Sequence, residues 1–266
     1  MLPKNILSKV TRALVEFDMI DDGDKILIGL SGGKDSLVLT YALAMMKKIL
    51  AKNFSLVAVT IDPRFDENFK INAAKLKNFC NALDIEHKFH AVEIAEVIAA
   101  QKKNPCYTCA YFRRAAINRI AGELGANKVA YAHHLDDAVE TFFMSLLSSG
   151  QLTTLPPKTF LTRSKVTVIR PLIYLREYEV KSFVKKNNFE VLKSPCPIDG
   201  TTNRQVIKEL IKNLGKTFPD LFDHLTAAMR KSSIGELWDA PKSRQQMRET
   251  YFSYVHKTFN DKFSLS

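Results

Sequence analysis

The sequence predicts an α/β fold: a parallel sheet with helices on both faces, preceded by an N-terminal helix and followed by a C-terminal helical tail. Three observations predict it. Short apolar runs of strand length, the first at residues 25 to 30 (Lys-Ile-Leu-Ile-Gly-Leu), alternate with longer stretches of helical periodicity. The connections between them are short, and alternation of this kind is how parallel strands are joined through crossover helices. From Asn203 onward the periodicity is helical only.

Each element can be justified in order. Residues 6 to 17 read as a helix expected to pack on the sheet, and 25 to 30 as a buried strand. The spacing of Leu37, Leu39, Leu43 and Met46 makes 36 to 50 the helix that follows. The alternation continues with a strand at 55 to 61, a helix at 71 to 83, a strand at 87 to 92, a helix at 107 to 124 and a strand at 128 to 132. After Gly150 the pattern loosens through 153 to 165. It resumes as a strand at 166 to 169, a helix at 178 to 186 and a short strand near Val191. The tail holds helical stretches at 204 to 214, 218 to 231 and 244 to 259. No repeat, low-complexity tract or long linker interrupts the chain, so it divides into an N-terminal helical segment (1–24), a central domain (25–200) and a helical extension (201–266).

Composition narrows the function classes. With 266 residues, 46% of them hydrophobic, the chain can bury a large core, and disorder throughout is excluded. A formal charge of +11 attracts polyanions such as nucleic acid, although a membrane surface or an acidic partner would feel the same field. No run of about 18 apolar residues is present to span a bilayer. The first residues carry Lys4, Lys9, Arg12, Glu16 and Asp18, unlike a signal peptide, so a cytoplasmic location is expected. Four cysteines are too few for a disulfide scaffold in a chain this long.

Two loops carry chemistry. Ser31-Gly32-Gly33-Lys34-Asp35-Ser36 follows the first strand and opens a helix. Paired glycines let the backbone approach a ligand closely, and hydroxyls, free amides, a lysine and a helix N-terminus suit phosphate oxygens. The loop is no Walker A motif, because Ile28 and Asp35 stand where that motif needs Gly and Ser or Thr. The second loop, His133-His134-Leu135-Asp136-Asp137-Ala138-Val139-Glu140-Thr141, puts carboxylates at a strand end and on a first helical turn. Asp136 and Glu140, four residues apart, bring oxygens onto one helix face that suits the Mg²⁺ accompanying ATP phosphates, while Asp136 or Asp137 equally suits capping the helix. The histidines are polar lining or metal ligands.

Cys106-Tyr107-Thr108-Cys109 sits at a predicted helix start, where two thiolates one turn apart benefit from the positive helix end. Such a pair does redox chemistry or binds metal. Zinc wants four ligands, and only Cys196 lies in a comparable setting, between Pro195 and Pro197. Three thiolates suit a 4Fe-4S cluster with one open iron, which can carry a sulfur atom. Cys80, inside a helix, reads as a buried small hydrophobe.

The loop SGGKDS after an apolar strand resembles the PP-loop of ATP pyrophosphatases, which cleave ATP between its α and β phosphates, and HHLDDxxET resembles the second signature of the tRNA-modifying members. Together with Cys106, Cys109 and Cys196, the chain resembles the thiolating PP-loop enzymes, most of all the tRNA 2-thiocytidine synthetases. Further similarity lies at Asp18-Met19-Ile20, Asn53 to Val59, Arg113-Arg114, Ile169 to Leu172 and Asn203 to Ile207, so that it spans about residues 6 to 230. The segment before Cys106 is shorter than in that family, and Asp199 stands where a further cysteine is frequent.

The resemblance implies an adenine nucleotide alpha-hydrolase-like fold and a tRNA sulfurtransferase that adenylates C2 of cytidine 32 and replaces its oxygen by sulfur. It implies ATP bound by Ser31, Gly32, Gly33, Lys34, Asp35, Ser36, Asp62, Arg113 and Asp137, with Asp137 also catalytic and Mg²⁺ at Asp136 and Asp137. It further implies a 4Fe-4S cluster on Cys106, Cys109 and Cys196, tRNA as substrate and a cysteine desulfurase as sulfur donor. A homodimer is allowed. Basic residues at 158, 163, 165, 170, 176, 181, 185, 186 and 193 are candidates for tRNA phosphates. The tRNA lysidine synthetases share both loops but need no cluster. A non-catalytic nucleotide- or metal-binding scaffold would bind ATP without cleaving it.

Overall fold

A computed structural model describes residues 2–65, 69–95, 105–192, 203–230 and 242–255; for residues 69–73, 105–107, 203 and 253 it describes the backbone only. The elements run α1 (Lys4–Glu16), β1 (Lys25–Gly29), α2 (Lys34–Ile49), β2 (Ser55–Asp62), α3 (Phe69–Asn81), β3 (Glu86–Ala91), α4 (Pro105–Glu123), β4 (Lys128–Ala130), α5 (Leu135–Ser149), β5 (Lys158–Leu161), β6 (Val166–Ile169), α6 (Glu177–Lys186), α7 (Asn203–Thr217), α8 (Leu221–Arg230) and α9 (Arg244–Tyr254).

The strands form one six-stranded sheet in the order β3-β2-β1-β4-β6-β5. Five of them are parallel, with Leu27 of β1 facing Val57 of β2 on one side and Val129 of β4 on the other. Strand order reverses at β1 and β4, since β2 and β3 are added to one side of β1 and β4 to the other. Ligands of open α/β sheets sit at such a reversal, beyond the carboxyl ends of the strands. The loops after β1 and β4, which carry both motifs, therefore meet there.

Both faces are covered, for the reason the strand pattern gives: successive side chains point to opposite faces. Leu27, Val57, Val59 and Val129 pack under Ile117, Ile120 and Ala121 of α4. Ile26 and Ile28 point the other way, into a larger cluster that joins α1, α2, α3, α5 and α6 to Ile207 and Ile211 of α7, Met229 of α8 and Tyr254 of α9. One core thus unites the N-terminal helix, the sheet and the described tail.

Four expectations are corrected. The stretch at 153 to 165 contains β5, which turns back antiparallel on β6 through residues 162–165, with Lys165 at φ +52°. Its turn sequence, Thr-Arg-Ser-Lys, holds neither Gly nor Asn, so it carried no hairpin signal. No strand forms at Val191. Instead Leu192 N donates to Gly32 O at 2.9 Å, which joins this segment to the glycine loop rather than to the sheet. β4 stops at Ala130, although Tyr131 N still donates to Ile169 O at 3.0 Å. α1 shares the core cluster with Ile26 and Ile28 of β1 and lies against α2 and α9. The helix expected to reach 259 ends at Tyr254, and residues 256–259 lie outside the described residues.

Candidate functional site

The first loop is shaped by its glycines. Gly32 holds φ +82°, and a Cβ there would meet Leu192 Cδ1 at 2.7 Å, so neither the backbone conformation nor the packing admits another residue. Ser36 Oγ donates to Gly33 O at 2.9 Å, Ser31 Oγ donates to Ser36 Oγ at 3.2 Å, and Gly33 N donates to Ser31 Oγ at 3.3 Å. α2 starts at Gly33 with no side-chain cap, which leaves its first-turn amides to be satisfied from outside the helix. Lys34 Nζ lies 2.9 Å from Asp35 and 3.2 Å from Glu177. Burial lowers its pKa, but the two carboxylates outweigh that and hold it above the ordinary lysine range.

Glu177, the first residue of α6, is surrounded by Lys34, Lys181 at 3.1 Å and Lys208 at 2.8 Å. Burial would raise its pKa. The lysines prevail and hold it down at about 2.

The second loop forms a capping box: His134 N donates to Asp137 Oδ2 at 2.9 Å, and Asp137 N to His134 Nδ1 at 3.3 Å. Asp137 also lies 3.4 Å from Arg204 Nη1, and Arg204 Nε lies 3.6 Å from the buried Glu140. Asp136 departs from its expected place beside Asp137. It accepts from Glu177 N at 2.7 Å and pairs with Arg176 at 3.2 Å, because the first turn of α6 offers an unpaired amide and a guanidinium. Asp136 and Glu140, four residues apart, accordingly face different partners. His133 Nδ1 accepts from Arg170 Nε at 3.3 Å, and burial followed by the Arg170 charge pushes its pKa down to about 4, a neutral ring at pH 7.

These parts meet around a cavity of about 460 Å³. Of the residues predicted to hold ATP, Ser31, Gly33, Asp35, Ser36, Arg113 and Asp137 line it. Gly32, Lys34 and Asp62 do not: Gly32 is turned against Leu192, Lys34 is held by Asp35 and Glu177, and Asp62 is buried with Oδ1 accepting from Arg64 N at 2.8 Å. The opposite wall consists of Ala110, Arg113, Arg114 and Ile117 of α4, with Tyr131, His133 and Arg170. Tyr131 OH and Arg113 Nε are buried in it with no hydrogen-bond partner among the described residues. Buried polar groups left open at a cavity wall fit a polar ligand better than they fit a packed core.

Cys106 and Cys109 fall in the first turns of α4, as expected, and Cys109 is half-buried one turn before Arg113. The Cys106 side chain and all of Cys196 lie outside the described residues. Cys80 is fully buried, and burial pushes its thiol up to about 12. Among the basic residues expected on tRNA, Lys158 donates to Asp18 O at 2.5 Å, Lys181 pairs with Glu177, and Arg176 pairs with Asp136 and lies 3.1 Å from the centre of the Phe222 ring. Arg163, Lys165, Lys185 and Lys186 are exposed, and Lys193 lies outside the described residues. Sequence reasoning missed Glu177, Lys208 and Tyr131, which no short motif marks. A larger cavity, about 1040 Å³, lies between α1, α2 and α9, and no carboxylate, histidine or cysteine among the described residues lines it.

Residues 4–214 match the PP-loop domain family. The tRNA-cytidine(32) 2-sulfurtransferases of Actinobacillus pleuropneumoniae serotype 5b and Teredinibacter turnerae are 32% and 34% identical to the chain, covering 90% of it and 75% and 79% of their own lengths. Among solved structures, the U34-tRNA thiolase NcsA from Methanococcus maripaludis with its 4Fe-4S cluster superposes with a TM-score of 0.69 at 25% identity, over 92% of this chain and 86% of that one. NMN synthetase from Francisella tularensis, with a TM-score of 0.50 at 17% identity over 100% of this chain and 98% of its own, shares the fold.

Proposed function

The chain belongs to the PP-loop family, and from that premise we propose that it is a tRNA sulfurtransferase acting on cytidine 32, with ATP as the activating substrate. One observation carries the reading. A single cavity is lined on one side by Ser31, Gly33, Ser36 and Asp137 and on the other by α4, the helix that begins with the cysteine pair. Unpartnered Tyr131 OH and Arg113 Nε and the uncapped start of α2 are what a nucleotide with phosphates would satisfy.

The amide-like carbonyl of cytidine is a poor leaving group. Its C2 oxygen attacks the α-phosphorus of ATP and pyrophosphate departs; sulfur then adds at C2, and AMP leaves with the former oxygen. Ser31, Ser36 and the α2 amides hold the departing pyrophosphate, while Arg113 neutralises charge that develops on phosphorus. Lys34 would exchange its Asp35 and Glu177 contacts for phosphate oxygens. Asp137, half-buried on the cavity wall, is the carboxylate for the Mg²⁺ that accompanies ATP. Asp136 is not assigned to the metal, because α6 already occupies it.

Cys106, Cys109 and Cys196 are the donor set for a 4Fe-4S cluster, a group that the structural relative carries, and Cys109 stands on the helix that walls the cavity. Bound there, the cluster would supply sulfur at its iron without a protein thiolate. A persulfide from a cysteine desulfurase is the matching donor, its outer sulfur released at the sulfide level by two electrons from an external thiol reductant. No helix among the described residues is long and apolar enough to cross a membrane, and a cytoplasmic enzyme fits that. The segments 1–24, 25–200 and 201–266 are proposed as parts of one folding unit around the shared core.

Mass analysis of tRNA nucleosides tests the reading. Anaerobically purified protein, supplied with ATP, sulfide and unmodified tRNA, is expected to form 2-thiocytidine and pyrophosphate, and Cys109→Ala to release pyrophosphate without thiolating. Pyrophosphate release with a lysine adduct on the tRNA, or binding of ATP without cleavage, would overturn it.

A further inference from the structure

The α4 wall of the cavity carries a charge arrangement that the ATP reading leaves unexplained. Beside Arg113, which the ATP reading already uses, the cavity is lined by Arg114 of α4 and by Arg170 just past β6, and neither of these two pairs with a carboxylate among the described residues. This differs from the rest of the site, where Lys34 has Asp35 and Glu177, Arg176 has Asp136, and Arg204 has Asp137 and Glu140. Arg170 is confined. Its Nη1 donates to Pro156 O at 2.5 Å and its Nε to His133 Nδ1, both neutral acceptors. Burial and the neighbouring Arg114 charge push its pKa down to about 10 despite Tyr131 nearby, so the folded protein holds two like charges together without compensation. Arg114 donates Nε to Ala110 O at 3.1 Å, and the buried Tyr131 OH completes the patch with no partner of its own among the described residues. Arg114 is exposed, but a confined guanidinium such as Arg170, with only neutral acceptors, is costly to keep charged beside it unless an anion joins them.

We propose that Arg114 and Arg170, with the nearby Tyr131 OH, form a second phosphate subsite, distinct from the glycine loop, that takes a backbone phosphodiester of the RNA substrate. This rests on the thiolation reading above. The chemistry favours a phosphate because a guanidinium presents paired donors to two oxygens at once. Position favours RNA over ATP. The glycine loop already offers the nucleotide two hydroxyls, a lysine and a helix start, whereas the arginine patch belongs to other parts of the lining, Arg114 on α4 and Arg170 just past β6. That helix places Cys109 and Arg113 on one stripe, four residues apart. A phosphodiester seated on Arg114 and Arg170 would anchor the target nucleotide between the adenylating loop and the sulfur side.

The test uses the full chain and the variants Arg114→Gln and Arg170→Gln, with binding of an unmodified tRNA bearing cytidine at position 32 measured from 50 to 200 mM salt. Affinity for ATP is measured alongside. Arg114 is exposed, so its variant is expected to keep the wild-type melting temperature and supplies the measurement if Arg170→Gln unfolds. The expected result is tRNA affinity about tenfold weaker and a slope of log K against log salt reduced by about 0.7, the amount for one single-stranded phosphate contact, with ATP affinity changed less than about twofold. Loss of ATP affinity with tRNA binding unchanged would assign the arginines to the nucleotide, and no change in either would remove the subsite; both outcomes overturn the proposal. A wild-type protein that shows this arginine dependence yet forms no 2-thiocytidine sinks the thiolation reading while leaving an RNA phosphate subsite. One that binds no tRNA sinks both.

Discussion

Gly32 answers to two demands at once, a left-handed backbone and the Leu192 side chain pressed against its Cα. The demands are separable. In Gly32→Ala the strained φ costs about 1–2 kcal/mol, and the contact with Leu192 adds to it, so ATP affinity is expected to fall at least tenfold. In the double variant Gly32→Ala/Leu192→Ala the steric part disappears and only the backbone part remains. Isothermal titration with ATP checks this. Equal losses in the single and double variants would mean that Leu192 contributes nothing. Gly32 was legible in the sequence because glycine pairs have few uses, but its partner lies 160 positions away and carries no motif. Asp136 was legible as a candidate carboxylate from its strand-end position beside Asp137, but its bond to the first turn of α6, 41 positions away, carries no motif.

At the scale of elements, β1 and β4 are the strands whose ends carry both loops, and their starts are tied by buried charge. Asp24 accepts from Lys128 Nζ at 2.6 Å, from Asn127 Nδ2 at 2.7 Å and from Asp21 N at 2.6 Å. Lys128 and Asp24 are both buried. Asp24→Ala would leave the ammonium facing Asp21 alone, and removal of one partner from such a pair costs about 3–5 kcal/mol. Urea unfolding is expected to show a loss of that order, whereas a loss below about 1 kcal/mol would mean that water reaches Lys128. The buried strands could be read from their apolar runs and the helices from their periodicity. β5 could not, since Lys-Thr-Phe-Leu is a half-polar edge strand with Phe160 exposed, stabilised by pairing with β6 and not by any pattern of its own.

For the molecule as a whole, the described tail belongs to the same core as the sheet. Tyr254 is 1% exposed, Ala51 N donates to its carbonyl, and Lys52 Nζ lies 3.7 Å from the centre of its ring. Leu50 and Val255 form an antiparallel bridge beside it. Tyr254→Ala is expected to cost about 3–5 kcal/mol and to lower the melting temperature by roughly 10 °C, with ATP affinity at 20 °C unchanged. A shift under about 2 °C would show that α9 is held by other contacts. The sequence marked the tail as helical but not as core, because the 3.6-residue period of α9 shows that it has a buried side without showing what that side meets.

The hydrogen bond from Leu192 to Gly32 has an energetic consequence. Leu192 precedes Cys196 by four residues, a reach of at most about 14 Å of extended chain, and it is held by the loop proposed to bind ATP. Coupling between two bound states through one joint is reciprocal. If the proposed cluster sits on the cysteines, any gain in nucleotide affinity produced by loading them must appear, as the same factor, in their hold on it when nucleotide is bound, so the two proposed half-reactions would be thermodynamically linked before either begins.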